Sequence, residues 1–341
     1  MIFRKLLAIM LLSLAVTAVI WGIRGNYSSE KPLASLDKHS LQSTLSGSGA
    51  LLPLPPVPDL PADKVALGKR LFFDKRLSHD DTIACATCHR LDSGGSDRQP
   101  ASFGVNGGKG EVNAPTVFNS SLNFVQFWDG RAASLEEQAA GPVHNPLEMA
   151  SNWAEVIPKL SRDENYRQEF SRIYKQGITG DTIVDAIATF ERTLLTPNSR
   201  FDRFLRGEKE ALDPLERSGY QRFLDYGCAS CHQGAGIGGN MFQRFGVMGS
   251  YLKEDAGRKS DLGRFNVSGL TRDKNVFKVP SLRNVYVTPP YFHDGSAQSL
   301  DDAVIAMGRY QLGRELSDED IKALTAFLKT LTGEWEGKEL R

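Results

Sequence analysis

Cysteine is scarce in this 341-residue chain, with four copies, and histidine nearly as scarce, with six. Net charge is absent altogether, because 41 basic residues face 41 acidic ones. No global field therefore draws the protein to nucleic acid or to an anionic membrane surface. Long apolar runs are missing too, except at the start, where Arg4 and Lys5 precede the stretch Leu6–Ile23, broken only by Ser13, Thr17 and Gly22. A basic start followed by about 18 mostly apolar residues is the pattern of an export signal or of an uncleaved anchor. Val16-Thr17-Ala18 is a mediocre cleavage site, so residues 1–25 read equally as signal peptide or N-terminal membrane anchor. Either way the body of the protein is expected in the periplasm.

What is there is concentrated. All four cysteines fall in two runs, Cys85-Ala-Thr-Cys88-His89 and Cys228-Ala-Ser-Cys231-His232. A C-x-x-C-H run has a mechanical reading: two thiols add across the vinyl groups of a haem, and the next histidine ligates its iron. Zinc ligation and a thioredoxin-like pair are the alternatives, but neither explains a histidine at the same offset in both runs. Two covalent c-type haems leave no cysteine spare for the disulfides an exported protein tends to form.

The order of segments suggests a tether and two haem domains. Residues 26–60 are rich in Ser, Gly, Leu and Pro, the composition of a flexible linker stiffening toward its end. The rest reads as mainly α with long loops, one haem per domain, residues 61–198 and 199–341. Pro61 to Phe72 is a helix candidate, and Gly180 to Leu195 a stronger one, with Ile183, Ile187, Phe190 and Leu194 at helical spacing. Asp213-Pro214 is a helix-start signal, and Ser299 and Ser317 are candidate N-caps. The stretches 92–114 and 233–275 are Gly-rich without periodicity, as loops that wrap cofactors are. Beyond the two haem motifs the halves look like a distant duplication with no close repeat.

The axial ligands opposite the two histidines remain to be found. Met307 shares a helical stripe with Leu300 and Val304, and on periodicity alone a core methionine is the better reading. Met241 and Met248 compete from a loop just after the second motif. A His/Met pair would raise that haem's potential and leave no open position. After His89 no histidine occurs until His144. Met149 has the spacing of a ligand, but Glu148 stands beside it. A carboxylate over an open haem face could shuttle a proton between peroxide oxygens, whereas an isolated glutamate is more often simply on the surface.

At this point the residues resemble a known family, the bacterial di-haem cytochrome c peroxidases. Asn113-Ala-Pro-Thr-Val-Phe-Asn119, Phe127-Trp-Asp-Gly-Arg131, Gln138, Asn145-Pro-Leu-Glu-Met149, Val279-Pro-Ser-Leu-Arg-Asn284 and Tyr291-Phe-His-Asp-Gly295 resemble its signature runs, in order, between about residue 60 and residue 333. The resemblance implies two cytochrome c-like helical domains with a calcium ion between them. It assigns Met307 as distal ligand of the high-potential haem, against the core reading. It makes Glu148 the acid/base carboxylate, Gln138 its distal-pocket partner, and Trp128 the tryptophan between the haems. Asn113, Thr288 and Pro290 match the positions whose oxygens bind calcium, and His293 matches a structural histidine. One position departs. Where many members carry a histidine that blocks the peroxidatic iron, this chain has Val105, so the first haem is expected to be ungated; His144 is the one nearby residue that could substitute, an exposed or pocket-lining role being the better reading.

The activity so implied is reduction of hydrogen peroxide to water, with electrons from a small donor such as cytochrome c or a cupredoxin. The family is often dimeric, so a homodimer is an expectation too. Two other readings stay open. One is a relative like the di-haem enzyme that matures tryptophan tryptophylquinone, oxidising a partner protein. The other is a plain electron carrier with both haems six-coordinate.

Overall fold

The computed structural model describes residues 49–252 and 257–341, so the signal or anchor at 1–25 and most of the tether lie outside the described residues. Among the described residues no helix is long and apolar enough to cross a membrane. The helices, in chain order, are α1 (Ala62–Phe72), α2 (Cys85–Cys88), α3 (Leu135–His144), α4 (Trp153–Ser161), α5 (Glu164–Ile173) and α6 (Gly180–Glu191) in the first half. In the second half they are α7 (Arg200–Leu205), α8 (Pro214–Asp225), α9 (Phe265–Ser268), α10 (Leu300–Ala306) and α11 (Asp318–Lys329). Two antiparallel ribbons complete the list, β1 (Phe242–Arg244) with β2 (Val276–Lys278), and β3 (Glu334–Trp335) with β4 (Lys338–Glu339).

The helix starts follow from local chemistry. Asp213 accepts from Glu216 N with Pro214 in the first turn, and Ser299 and Ser317 accept from Asp302 N and Asp320 N. Each cap satisfies a donor that the first turn leaves orphaned. The stripe on α6 buries Ile183, Ile187 and Phe190 against α1.

Each half then repeats one arrangement. Gly68 on α1 lies against the carbonyl of Ala186 on α6, and Gly219 on α8 lies against the carbonyl of Ala323 on α11. A Cβ at either glycine would collide with helix backbone, so only glycine permits so close a crossing. Around these crossings two cores form, one holding Phe72, Phe118 and Phe170, the other Phe201, Phe223 and Phe327. Burying each such ring contributes roughly 1.5–3 kcal/mol.

The duplication runs further than the haem motifs. Asn119 and Asn284 both adopt left-handed backbone, at φ 60° and 62°, as do Phe127 and Phe292, at 66° and 68°. Gln126 bridges Ala132 as Tyr291 bridges Ala297, and Ser134 caps α3 as Ser299 caps α10. All of these pairs are 165 residues apart (Asn119 to Asn284, Ser134 to Ser299). The haem motifs are 143 apart (Cys85 to Cys228). The longer loop after the second motif changes the offset, and this hides the repeat from a fixed-period reading.

The chain ends are exchanged between the halves. Leu51 and Leu54 are buried; Leu51 joins the second core, and Leu54 N donates to Asp202. Composition places these residues in the linker at 26–60, but their leucines have found a hydrophobic seat, so residues 51–54 belong to the folded body. Conversely Trp335 and Leu340, from the C-terminal ribbon, pack on the first core, with Trp335 edge-on to Phe118 at 5.5 Å.

Candidate active site

A cavity of about 410 Å³ is lined mostly by the second half, with Asn113 and Trp128 among its first-half walls, and its size is within the range of cofactor sites. Cys228, Cys231 and His232 line it from one side, and Met307 from the end of α10. Met307 opens a single π-helical turn, Met307–Gln311, a distortion frequent at functional positions. Burial holds the His232 ring down at about 4, so the imidazole is neutral at pH 7, as iron ligation requires. The Cys228 thiol is pushed up to about 11 by burial, opposite to the lowered thiols of reactive cysteines.

His89, in the first half, is likewise buried and neutral, its pKa lowered by burial. The Nδ1 atoms of both rings are buried without a completed hydrogen bond. Beside each lies a proline carbonyl, Pro115 for His89 and Pro280 for His232. These prolines are again 165 residues apart. Such a carbonyl is what orients a metal-bound imidazole. Two buried neutral histidines, each next to a thiol pair, fit two covalent haems.

The repeat also aligns the distal sides. At the place of Met307 in the second half, the first half has Pro142, which has no atom able to bind iron. His144 does not substitute. It is exposed, with Nδ1 2.8 Å from the Ala140 carbonyl and the ring edge-on to Trp153. Met149 is buried in the first core.

Glu148 is held tightly just beyond α3. Its Oε1 accepts from Asn145 Nδ2 at 2.7 Å, and Asn145 O accepts from both Glu148 N and Ala150 N. Desolvation raises the carboxyl pKa, against the Asn145 hydrogen bond and the charge of Arg131. From the other side Val105 N donates to Glu148 O at 2.8 Å. Gly104 presses on that same oxygen so closely that a Cβ would collide with it. Val105 itself is buried. The loop at Gly104 and Val105 is thus clamped onto the backbone of Glu148. Gln138 is half-buried on α3, one turn before Pro142. No hydrogen bond joins it to Glu148 among the described residues.

Trp128 lies on the wall of the same cavity. Its Nε1 donates to Asn113 O at 2.9 Å, and its ring stands edge-on to His293 at 6.3 Å. His293 is fixed by Asp261 at 2.8 Å, which Arg258 ties in turn to Asp294. Asn113, Thr288 and Pro290 line the same cavity. Asn113 turns its amide nitrogen to Gln99 O, and its side-chain oxygen accepts no hydrogen bond among the described residues. The carbonyls of Thr288 and Pro290 accept no hydrogen bond among the described residues.

Comparison with known proteins agrees with this geometry. Residues 62–210 match the model of the di-haem cytochrome c peroxidase family, and residues 217–332 that of cytochrome c. The cytochrome c551 peroxidase of Nitrosomonas europaea is 47% identical over 274 residues, covering 80% of this chain and 81% of the relative. The chain belongs to the di-haem cytochrome c peroxidase family. The family's cytochrome c peroxidase Ccp of Escherichia coli K12 is 50% identical over 285 residues, 82% of this chain, but the match spans only 61% of that relative. Among solved structures, a MauG-like protein associated with microbial copper homeostasis superposes with a TM-score of 0.74 at 28% identity, covering 84% of this chain and 95% of that one. Two cytochrome c-like domains carrying two c-type haems are therefore the architecture of this family member.

One buried acid escaped the sequence reading. Glu191, at the end of α6, is 5% exposed, and burial raises its carboxyl to about 8, Arg192 opposing and Glu136 adding. The signal was present, since Glu191 falls four residues after Ile187 on the apolar face. Its folded pKa lies above the ordinary value of 4.5, so the folded state keeps a proton that the unfolded chain releases. Stability is then lost as pH rises through that window, by up to about 1.4 kcal/mol per pH unit. The Glu191→Gln variant is expected to gain thermal stability over the parent at pH 8 and little at pH 5. Equal differences at both pH values would contradict this burial.

Proposed function

We propose that this protein reduces hydrogen peroxide to water, at the haem held by Cys85, Cys88 and His89, with electrons entering through the haem held by Cys228, Cys231, His232 and Met307. The contrast between Met307 and Pro142 carries the reading, because a thioether could close one haem and the proline side chain offers no ligand to the other. When bound, the haems would supply the redox chemistry and the electrons' path. Glu148 takes a proton from the near peroxide oxygen and returns it to the departing one, which leaves as water. The Gln138 amide donates a hydrogen bond to the bound oxygens. Trp128, on the cavity wall and hydrogen-bonded to Asn113, lies on the route between the haems. Free oxygens at Asn113, Thr288 and Pro290 suit a hard cation, and calcium is the ion we assign to them. A small redox protein, cytochrome c or a cupredoxin, is the donor, and the periplasm the compartment. Anchoring through residues 1–25 and a homodimer belong to the same proposal.

Val105 supports activity without prior reduction. Protein as isolated, with its haems oxidised, is expected to consume peroxide with pre-reduced cytochrome c and no lag. Its resting EPR spectrum should contain a high-spin component from the first haem. Strict dependence on pre-reduction, with both haems entirely low-spin, would overturn the open-site reading. Val105 also favours a second reading, long-range oxidation of a partner protein. Peroxide would then oxidise both haems with no turnover of the reduced cytochrome.

A further inference from the structure

Lys278 has no evident reason to be where it is. It is 6% exposed, at the end of β2, and it lines the cavity of the second half. Among the described residues no Asp or Glu lines that cavity, and three cationic ones, Arg244, Lys278 and Arg283, help to wall it. Arg283 is neutralised by Asp202, and Arg244 is exposed to water. Lys278 is the buried one, and among the described residues no carboxylate offsets it; burial alone acts on its ammonium. A buried charge without a partner is strongly unfavourable, so its retention points to an anion the polypeptide does not supply. A haem in this cavity brings two propionate carboxylates.

We infer that Lys278 is the counter-ion of a propionate of the haem ligated by His232 and Met307. The repeat gives the residue a fixed seat. Lys278 N donates to Trp128 O at 2.8 Å, just as Asn113 N, 165 residues earlier, donates to His293 O at 2.8 Å. The side chain that meets the propionate is therefore built on the backbone that holds the tryptophan between the haems. Lys278 is a positioning residue: it orients the ring edge and, as a nearby positive charge, favours the reduced iron.

The inference rests on assigning this cavity to the second haem, and the experiment separates the two. In the Lys278→Met holoprotein the midpoint potential of the His/Met haem falls. The oxidised-to-reduced ratio at a fixed poise changes about tenfold, equivalent to about 59 mV for one electron. The potential also becomes pH-dependent, as the unpaired propionate takes up a proton. Lys278→Arg keeps the charge and stays near the parent. An unchanged potential in a folded, fully loaded Lys278→Met protein overturns the inference. Should that variant fail to load haem, redox-difference infrared spectra of parent and Lys278→Arg with carboxyl-labelled haem decide instead. A displaced carboxylate band is expected, and identical bands refute the pairing. Met307→Ala tests the underlying assignment separately: if it left the second haem's spectrum and potential unaltered, the cavity would not be that haem's.

Discussion

Glu148→Gln lowers peroxide turnover by about 10²–10⁴-fold and leaves both haem spectra close to the parent. The size is that of general acid–base help, and the selectivity follows from the geometry. Glutamine keeps the shape of the side chain and its hydrogen bond from Asn145 Nδ2, so the segment stays folded. Only the capacity to take a proton is lost. The pH profile supplies a second signature. Desolvation places the Glu148 pKa above the ordinary 4.5, and the base must be ionised to act. Activity in the parent should therefore fall on the acid side with an inflection above that value, and the glutamine variant should lack this limb. Turnover within a factor of a few of the parent, or an acid limb that survives the substitution, would remove Glu148 from the mechanism.

Arg283→Met costs about 3–5 kcal/mol of stability, the scale for breaking a buried ion pair. Arg283 and Asp202 are both 0% exposed in their side chains, 2.8 Å apart. The guanidinium also donates to Ala235 O and Leu52 O, and Asp202 accepts from Leu54 N. One side chain thus binds the strap at 51–54, the start of α7 and the segment just after His232. Methionine would strand the Asp202 carboxylate without its partner. Adding Asp202→Leu should recover most of the loss, because removing both charges also removes the desolvation cost. Denaturant unfolding of the holoprotein measures this. A loss below about 1 kcal/mol would mean that water reaches the pair.

Much of the site was legible in the sequence because covalent chemistry fixes local spacing. Cysteines at i and i+3 with histidine next are dictated by the haem edge and its iron, whatever the fold. Helix starts at Asp213, Ser299 and Ser317 were legible for the same reason, since capping is settled within four residues. The duplication was suspected, but its extent and register were not legible, because a loop of different length in each half changes the offset between the motifs and Asn119 or Asn284. The burial of Leu51 and Leu54 was hidden as well. Their neighbours are prolines and serines, and the groove that receives them is built by residues far along the chain.

The sequence by itself determined that the chain carries two c-type haem motifs, each with a histidine at the same offset, and where the principal helices begin. Each of those depends on atoms a few bonds or one helical turn apart. Tertiary structure alone decided that Pro142 stands where the other half has Met307, that Val105 and Gly104 clamp the backbone of Glu148, and that Lys278 is buried with no carboxylate beside it among the described residues. Those facts depend on which distant surfaces meet when two similar halves pack together, and on what solvent is excluded there. Spacing along the chain carries no record of either.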